Sequence, residues 1–474
     1  MFVGRTAELS RLEKASKREK ATLVVCRGRR RIGKSTLIQK FGETVTRFYE
    51  FQGLPPREIS SNADQLANFS RAMAEAFFLP SFRLESWHDA FSLLANQTAK
   101  GKVVILLDEI SWMASHDRDF AGHLKIAWDT KLKRNNHLTL VLCGSVSSWI
   151  DKNILHSAGF MGRVSLTITL EELSLALCNE FWGTRKDRIS AMEKFKLLSI
   201  TGGVPRYLEE INPGKSAEHN IQRLCFHQSG ILFNEFEQIF EDTFGRRAGM
   251  YRNIVAVLAD GPRTFSEICK RLGVDPNGVI STYLGDLEES GFIARDYVYS
   301  PKSVKKGKLS RFRLRDNYIR FYLKYIDPQR ERIRAGFYDP GSVEDLPGYE
   351  TIMGLQLENL VLNNLKPLLV KLRIPFGSVR CASPYFQNRT ARQKACQVDL
   401  LIQTRNTLYV CEIKFRKKVD TAVVAEMKEK LHRLKYNKTT SVRPVLIHAG
   451  ELAQGIEASD FFDAVISLDE LLKT

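Results

Sequence analysis

The sequence predicts an α/β protein that begins with a parallel β-sheet domain and ends with a second α/β domain. Three short, continuous apolar runs, at 21–27, 103–107 and 138–143, are typical of strands buried on both faces, as in a parallel sheet flanked by helices. Beyond Tyr251 the pattern changes to short helices with strong start signals, followed by further short strands. The 474 residues are enough for about three domains.

These patterns divide the chain into four segments. They are a sheet domain at 1–215, a helical linker and winged helix-turn-helix at 216–325, a linker at 326–348 and a C-terminal α/β domain at 349–474. In the second segment, Thr264 and Glu267 form a capping box, and Asp275 followed by Pro276 marks the start of another helix. The third segment is predicted as a linker because it is rich in proline, glycine and mixed charge.

The composition favours an anionic partner. The chain carries 71 lysines and arginines against 54 acidic residues, a formal net charge of +17. Such an excess points most simply to nucleic acid, although a basic surface without a binding role is the alternative. The eight cysteines are scattered singly, which predicts reduced thiols and no zinc site. No apolar run is long enough for a membrane span or a signal peptide, so we expect a cytoplasmic protein.

A glycine-rich loop follows the first predicted strand. It reads Gly28, Arg29, Arg30, Arg31, Ile32, Gly33, Lys34, Ser35 and Thr36. This is the GxxxxGK[ST] phosphate loop, with a strand before it and a helix after it as the motif requires. Lys34 would reach the β- and γ-phosphates, and the Ser35 hydroxyl would ligate Mg²⁺. Arg27 and the loop arginines would either reinforce phosphate binding or pair with acids on a lid over the nucleotide. The loop therefore predicts binding of ATP with Mg²⁺.

Two further strand ends supply the rest of a hydrolytic site. The second apolar run ends in Asp108 and Glu109, at the edge of a parallel sheet where ligands bind. Asp108 would hold Mg²⁺, directly or through water, and Glu109 would orient or deprotonate the attacking water. Ser145, at the end of the third run, would sense the γ-phosphate. With Glu109 in this position, the pattern predicts an ATPase rather than a simple nucleotide binder.

These motifs, together with FVGRTAEL near the N-terminus and the later TGGVPRY, resemble the archaeal-type ATPases of prokaryotes, in the STAND branch of AAA+-like P-loop ATPases. The resemblance covers essentially the whole chain, because that family often continues into a winged helix and a nuclease-like domain. It implies that Gly4 and Arg5 lie near the adenine and that the lid segment ending in Pro205 contacts nucleotide. It also places Arg163 where an arginine reaches a γ-phosphate, in its own chain or a neighbour's, with a structural ion pair as the alternative. The sequence leaves open whether the chain forms a homo-oligomer.

The segment from 251 to 299 predicts the three helices and the strand of a winged helix. Its third helix, from 276 to 290, would present its first residues to base edges in the DNA major groove. Those side chains are Asn277, Ser281 and Thr282, with Tyr283 as a weaker candidate. The lysines at the predicted wing tip, which would contact DNA phosphates, are Lys302, Lys305, Lys306 and Lys308. The alternative is a winged fold that only packs against the ATPase.

The C-terminal segment contains a predicted hairpin, QVDLLIQTRNTLYVCEIKF, with charged residues in its apolar runs. By strand alternation Glu412 and Lys414 share one face of the second strand, and a hairpin would bring Asp399 of the first strand beside Glu412. Two neighbouring carboxylates repel each other unless a cation lies between them. Asp399, Glu412 and the carbonyl of Ile413 would therefore bind Mg²⁺ or Mn²⁺. Lys414 would position the attacking water or stabilise charge that builds on phosphorus.

An acid followed by Glu-x-Lys one strand later resembles the PD-(D/E)xK nuclease superfamily. The resemblance implies a restriction-endonuclease-like α/β domain, with Glu358 of a preceding helix as an additional acid at the metal. Basic residues on either side of the hairpin would lie along a phosphate backbone; they are Arg389, Arg392, Lys394, Arg416, Lys417 and Lys418. The alternatives are a solvated ion pair between Glu412 and Lys414, or an inherited but inactive domain.

Three functions are compatible with these motifs. The preferred one is an ATP-hydrolysing protein that binds DNA and cleaves it at the metal-dependent C-terminal site. The second is an ATP-switched DNA-binding regulator of the STAND type with a catalytically inactive nuclease-like domain. The third is an assembly ATPase whose ligand is another protein, and whose function would not weaken as salt rises. All three require ATP hydrolysis at the phosphate loop.

Overall fold

The computed structural model describes residues 2–55, 61–145, 147–391 and 393–473, without the side chains of Ser147, Ser148 and Arg246. Arg392, one of the basic residues predicted beside the hairpin, lies outside the described residues. The chain forms two compact units. The first comprises Met1–Glu171, Gln238–Ala248 and Gly285–Gly291, and the second comprises Glu172–Glu237, Gly249–Leu284 and Phe292–Thr474. The predicted α/β class is confirmed, and the four predicted segment boundaries stay predictions.

A five-stranded parallel sheet forms the centre of the first unit. Its strands are β1 (Thr22–Gly28), β2 (Arg47–Gln52), β3 (Val103–Asp108), β4 (Leu138–Gly144) and β5 (Val164–Leu170). Their order is β2-β3-β4-β1-β5, and all neighbours pair in parallel. The three inner strands are the three predicted apolar runs. The sequence does not predict the edge strands β2 and β5, because they mix polar and apolar residues and are only partly buried.

Helices cover both faces of this sheet. They are α1 (Thr6–Ser16), α2 (Lys34–Gly42), α3 (Asn62–Phe77), α4 (Trp87–Gln97), α5 (Ile110–Met113), α6 (Phe120–Thr130) and α7 (Ser147–Ile150). Alternate residues of β1 enter different apolar clusters: Leu23 packs with residues of α3 and α4, whereas Val24 packs with residues of α1 and α2. This burial on both faces explains the continuous apolar runs, since side chains alternate across a strand.

The central part of the chain is mainly helical and contains the winged helix. Its elements are α8 (Leu175–Asn179), α9 (Ala191–Thr201), α10 (Pro205–Leu208), α11 (Ala217–Cys225), α12 (Ile231–Phe244), α13 (Ala248–Leu258), α14 (Phe265–Leu272), α15 (Gly278–Glu289), β6 (Ile293–Tyr299), β7 (Lys306–Leu314), α16 (Asn317–Phe321) and α17 (Arg330–Arg334). The predicted capping box is present at the start of α14, where Thr264 and Glu267 bond each other's backbone N–H. The predicted linker at 326–348 contains α17 and two short 3₁₀ turns.

A mixed five-stranded sheet forms the C-terminal part of the second unit. Its elements are α18 (Tyr349–Asn363), α19 (Leu365–Lys371), β8 (Cys381–Gln387), β9 (Cys396–Gln403), β10 (Thr407–Val419), α20 (Ala422–Arg433), β11 (Ser441–Leu452), α21 (Gln454–Ala458), β12 (Ala464–Ser467) and α22 (Leu468–Lys473). The order is β12-β11-β10-β9-β8. β10, β11 and β12 run parallel, whereas β8, β9 and β10 run antiparallel. α18 packs against β10, and α20 packs against β9 and β10.

One-turn segments complete the secondary structure. The 3₁₀ segments are Leu132–Arg134, Ala158–Phe160, Glu180–Arg185, Gly245–Arg247, Asp327–Gln329, Val343–Asp345 and Phe376–Ser378, and the π segments are Asp151–Leu155 and Tyr322–Ile326. All eight cysteines are free thiols. Among the described residues, no helix is both long and apolar enough to cross a membrane.

The wing of the winged helix is held against the C-terminal sheet within the second unit. Ser383 Oγ donates a hydrogen bond of 2.9 Å to the carbonyl of Tyr297, and Gln403 Nε2 donates one of 3.0 Å to the carbonyl of Pro301. Asn437 Nδ2 donates a third, of 2.7 Å, to the carbonyl of Lys302. Because these bonds go to backbone carbonyls along the wing, they fix its path and leave its side chains available.

Candidate functional sites

The loop between β1 and α2 needs glycine at both glycine positions of the motif, Gly28 and Gly33. Gly28 has φ +154°, and a Cβ there would lie 2.6 Å from the carbonyl oxygen of Leu170. Gly33 has φ +86° and immediately precedes α2. The chain therefore makes a tight bend that ends at a helix N-terminus, where unpaired backbone N–H groups bind phosphate.

Three side chains of the first unit that the sequence assigns to phosphate and Mg²⁺ are held by hydrogen bonds. Lys34 Nζ donates 2.9 Å to the carbonyl of Arg29, so its charge lies within the loop. Ser35 Oγ donates 2.6 Å to Asp108 Oδ2, and Asp108 Oδ1 accepts the Glu109 N–H at 3.0 Å. A hydroxyl and a carboxylate in contact are oxygen donors of the kind that Mg²⁺ prefers, so Ser35 and Asp108 fit that ion.

Glu109 lies at the end of β3 with its carboxylate held by the end of β4. Ser145 Oγ donates 2.5 Å to Glu109 Oε1, and the Ser145 N–H donates 3.2 Å to Oε2. Glu109 also has φ +48°, a left-handed conformation that is uncommon for a residue with a side chain. The two strands are neighbours in the sheet, and both end at the edge where the phosphate loop lies. The arrangement fixes the carboxylate of Glu109, and its action on a water molecule stays a prediction.

The remaining residues predicted around the nucleotide have varied surroundings. Arg5, next to Gly4, donates 2.7 Å to the carbonyl of Glu171 and 3.4 Å to that of loop residue Ile32. Thr36 is exposed on α2. Pro205 begins α10 in the second unit. Contact of Gly4, Arg5 and Pro205 with nucleotide stays a prediction.

The arginines around the loop pair with acids of the same unit. Arg30 lies 2.5 Å from Asp242, and Arg27 forms an ion pair with Asp151. Arg29 is buried, and Arg31 has φ +68°. Pairing with acids was one of the two alternatives for these side chains. Their contribution to phosphate binding stays a prediction.

Arg163 forms a two-pronged ion pair with Asp129. Its Nε lies 2.9 Å from Oδ1, and its Nη2 lies 2.8 Å from Oδ2. The guanidinium lowers the pKa of Asp129 to about 2, chiefly through these hydrogen bonds and with help from Lys133. This geometry favours the structural alternative for Arg163, while a role at a γ-phosphate stays a prediction.

Polar side chains at the start of the third helix of the winged helix form hydrogen bonds with the helix backbone. Asn277 Oδ1 accepts the N–H of Ile280 at 3.0 Å and so caps α15. Ser281 and Thr282 are exposed, and their hydroxyls donate to carbonyls of the preceding turn. Tyr283 packs edge-on against Tyr251 with ring centres 4.7 Å apart. Base contacts by Asn277, Ser281 and Thr282 stay predictions.

The wing lysines lie on the surface. Lys302, Lys305, Lys306 and Lys308 are exposed, and Lys306 Nζ lies 3.3 Å from the ring centre of Tyr297. Since the wing backbone is fixed by the C-terminal sheet, these lysines are presented from a rigid hairpin. Their contact with DNA phosphates stays a prediction.

The hairpin of β9 and β10 brings the predicted acids together. The paired register of the two strands ends with Cys411 opposite Leu400, and the next residues along the strands are Glu412 and Asp399. Asp399 Oδ2 accepts the N–H of Ile413 at 2.8 Å. Burial, followed by the negative charges of Glu412 and Glu358, raises the pKa of Asp399 well above its usual value. A buried carboxylate, Glu412, beside a partly buried one, Asp399, is an arrangement that a cation would stabilise.

Two lysines balance the charge of Glu412. Lys414 Nζ lies 3.0 Å from Glu412 Oε1 and 2.7 Å from Glu426, and Lys430 Nζ of α20 lies 2.5 Å from Glu412 Oε2. Glu412 is only 1% exposed. The sequence did not point to Lys430, because its place depends on how α20 packs on the sheet and no motif marks it.

A polar cavity of about 500 Å³ surrounds these groups. Its lining includes Arg311, Glu358, Asp399, Glu412, Lys414 and Lys430. Burial raises the pKa of Glu358, which nearby arginines oppose. Asp399 and Glu412 fit a cation that prefers oxygen ligands. Among the described residues, however, no three His, Cys, Asp or Glu side chains are disposed to hold a metal. Ligation by Glu358 stays a prediction.

Two protein families match parts of the chain. Residues 2–211 match the model of an "ATPase domain predominantly from Archaea", and residues 252–295 match that of the "Bacterial regulatory protein, arsR family", a helix-turn-helix family. An uncharacterised protein of Methanocaldococcus jannaschii is 24% identical over 452 residues, which cover 93% of this chain and 92% of that protein.

Solved structures resemble parts of the chain at low identity. A Walker-type ATPase of Pyrococcus abyssi is 17% identical with a TM-score of 0.48, covering 68% of this chain and 96% of the other. The ORC2 protein of Aeropyrum pernix, solved with ADPNP and ADP, is 13% identical with a TM-score of 0.37, covering 70% and 94%. The family match at the phosphate loop confirms the predicted ATP-hydrolysing enzyme, and the second match confirms the predicted winged helix-turn-helix.

Proposed function

We propose, from the premise that residues 2–211 form an ATP-hydrolysing domain, that the chain binds DNA and cleaves it at a metal-dependent site in the C-terminal domain under the control of ATP. The helix-turn-helix match and the net charge of +17 support DNA as the partner. The cavity around Asp399 and Glu412 supports the cleavage site. ATP binding or hydrolysis would move the winged helix and so license cleavage.

At the phosphate loop, the residues of this chain would divide the work. The backbone N–H groups around Gly33 and the ammonium of Lys34 would hold the phosphates and neutralise their charge. Ser35 and Asp108 would hold Mg²⁺, which would supply further neutralisation of phosphate charge. Glu109 would orient the attacking water and accept its proton, since its carboxylate is already fixed by Ser145.

At the C-terminal site, acidic and basic groups would act on a phosphodiester. Asp399, Glu412 and the carbonyl of Ile413 would hold Mg²⁺ or Mn²⁺, which supplies Lewis-acid stabilisation of charge on the phosphate. Lys414 would position the attacking water or hold the developing negative charge. The ammonium of Lys414 already contacts Glu412. A water molecule held by this ammonium would therefore lie next to a phosphate bound at Glu412.

One observation carries this proposal: Asp399 and Glu412, from two neighbouring paired strands, line one open polar cavity together with Lys414. A carboxylate pair buried without a ligand is electrostatically costly. A purely structural sheet would not need an acid at Asp399, where burial raises the pKa. Perturbed ionisable groups in a cleft are typical of functional sites.

The second candidate is an ATP-switched DNA-binding regulator with an inactive C-terminal domain. One observation favours it: Glu412 is already neutralised by Lys414 and Lys430 without a metal. In that case ATP would alter the affinity for DNA, and no metal would produce cleavage.

The discriminating experiment is incubation of the purified chain with supercoiled plasmid, with and without ATP and Mn²⁺. We expect nicking that requires Mn²⁺ and is abolished in Lys414→Ala, while that variant still hydrolyses ATP. A matched control is Lys473→Ala, an exposed lysine that pairs with Asp469. Binding of the plasmid without cleavage in the presence of each metal ion tested would instead support the DNA-binding regulator.

A further inference from the structure

One arginine of the wing lines the polar cavity of the C-terminal domain. Arg311 lies on β7, opposite Asp296 of β6, and lines the same cavity as Glu358, Asp399 and Glu412. Its guanidinium carbon lies 3.9 Å from the ring centre of Phe386 on β8. The winged helix therefore contributes a cationic group directly to the candidate cleavage site.

Arg311 is the partly buried cation of this cavity that lacks an anionic partner. Among the described residues it makes no hydrogen bond or ion pair, and its Nε is buried without a partner. By contrast, Lys414 and Lys430 contact Glu412, and Arg433 contacts Glu429 at 2.8 Å. A desolvated guanidinium without an anion is costly, so an anionic ligand would stabilise it.

The surroundings of Arg311 fit a phosphate. The ring of Phe386 covers one face of the guanidinium, and its two terminal nitrogens are the donors for the two parallel hydrogen bonds that a phosphate accepts. Glu267 is the acid that interacts with it at longer range, and the carboxylate of Glu267 already caps α14. The positive charge of Arg263 lowers the pKa of Arg311 by repulsion. A bound phosphate would offset this repulsion.

The position of Arg311 is fixed by the contacts between wing and sheet. The next arginine along the strand, Arg313, is bound to Asp296 at 2.8 Å and to Asn359 of α18. The three wing carbonyls already described are held by side chains of the C-terminal domain. Arg311 is therefore presented from a rigid platform, as a preorganised binding group requires.

We propose that Arg311 binds a backbone phosphate of the nucleic acid strand next to the bond cleaved at Asp399 and Glu412, so that the wing and the C-terminal sheet grip one continuous strand. This inference rests on the proposed function, because it assigns the strand-holding residue of that site. Arg311 would be a substrate-positioning residue. It would add binding energy equally to the bound substrate and to the transition state.

The test compares Arg311→Ala, Arg311→Lys and Arg443→Ala in the full chain. Arg443 is a matched control because it is an exposed arginine of the same sheet that pairs with Asp463. For Arg311→Ala we expect the KM of Mn²⁺-dependent cleavage to rise about tenfold, with kcat within about twofold, since a lost uniform contact raises KM alone. Arg311→Lys should recover part of the loss, because it keeps the charge without the two-pronged fork. Arg443→Ala should match the unaltered chain.

A second measurement separates this inference from the proposed function. The affinity for a short DNA duplex is measured in Ca²⁺ at several salt concentrations. The slope of log affinity against log salt concentration should be smaller in magnitude by about one in Arg311→Ala, as expected for one lost phosphate contact. An unaltered chain that never cleaves would overturn the proposed function, and the Ca²⁺ measurement would still decide about Arg311. Wild-type KM, slope and affinity in Arg311→Ala, or a loss confined to kcat, would overturn the inference. Unchanged ATP hydrolysis and melting temperature establish that the variants are folded.

Discussion

The hydroxyl of Ser145 donates a hydrogen bond of 2.5 Å to Oε1 of Glu109, and the backbone N–H of Ser145 donates to Oε2. This contact joins the ends of two neighbouring strands at the edge of the sheet. It orients the carboxylate that would activate water, and it links that carboxylate to the strand end where a γ-phosphate would be sensed. A role of Ser145 in hydrolysis, through Glu109 as well as through the nucleotide, stays a prediction.

The first prediction concerns Glu109. Glu109→Gln should lower the rate of ATP hydrolysis at least about 100-fold while ATP affinity changes little, because a neutral amide accepts no proton from water. Ser145→Ala should cause a smaller loss, because it only releases the carboxylate. Steady-state phosphate release and fluorescent-nucleotide binding measure the two quantities. Glu43→Gln, an exposed acid after α2, is the control, and equal hydrolysis in Glu109→Gln and the unaltered chain would contradict the role.

The second prediction concerns the phosphate loop. Lys34→Ala should abolish ATP hydrolysis and weaken ATP binding, because it removes the buried ammonium that lies against the loop carbonyl of Arg29. Lys40→Ala changes a lysine of the same helix that pairs with Glu43 on the surface, and it should hydrolyse ATP normally. The measurement is phosphate release at saturating ATP. Normal hydrolysis in Lys34→Ala would refute the assignment of the loop.

The third prediction uses pH to test the ion pair of Arg163. The pKa of Asp129 is lowered from 3.8 to about 2, so the pair stabilises the folded protein above about pH 4 and loses that effect as pH falls toward 2. Asp129→Asn should therefore lower the free energy of unfolding by about 1 kcal/mol near neutral pH and by progressively less below pH 4. Urea unfolding at several pH values measures this difference.

The same pair separates the two roles of Arg163. If the ion pair is structural, Arg163→Ala and Asp129→Asn should lose similar stability, and the double variant should lose little more than either. Both should then hydrolyse ATP at a similar rate. A loss of hydrolysis in Arg163→Ala that Asp129→Asn does not share would instead indicate a role at the γ-phosphate.

The fourth prediction concerns Lys430. Its ammonium lies 2.5 Å from Glu412, so it competes with a metal for the same carboxylate. Lys430→Ala should lower the Mn²⁺ concentration for half-maximal cleavage at least about fivefold. Lys428→Ala, on the same helix but facing the ring of Phe461, should leave that concentration unchanged. Complete loss of cleavage in Lys430→Ala at all Mn²⁺ concentrations would show that this lysine acts on the substrate instead.

The fifth prediction concerns the wing. Combined replacement of Lys302, Lys305 and Lys308 by Ala should weaken DNA binding for all sequences and reduce the salt slope by up to about three, because each lysine would neutralise one phosphate. The control replaces three exposed lysines that already pair with acids: Lys40, Lys186 and Lys473. Fluorescence anisotropy against salt concentration measures both. An unchanged slope in the wing variant would place the DNA elsewhere.

The sequence predicted the inner strands of the first sheet to within a residue of their observed bounds, and the capping box at the start of α14. It did not predict β2 and β5, because an edge strand with one solvated face has no continuous apolar run. The predicted third helix of the winged helix began at 276 and ended at 290, whereas α15 spans Gly278–Glu289, since Asn277 serves as its cap. These differences concern ends and edges, where local signals are weakest.

The phosphate loop could be predicted from consecutive residues, because its tight bend, the following helix start and the position of its lysine all depend on local sequence. The opposed acids of the hairpin could also be inferred, since strand alternation and a short turn determine which residues face each other. Only the tertiary structure decided that Lys430 contacts Glu412, that Arg163 binds Asp129 and that Arg311 lines the polar cavity. These pairs are distant in sequence, and their meeting depends on strand order and helix packing, which no local pattern specifies.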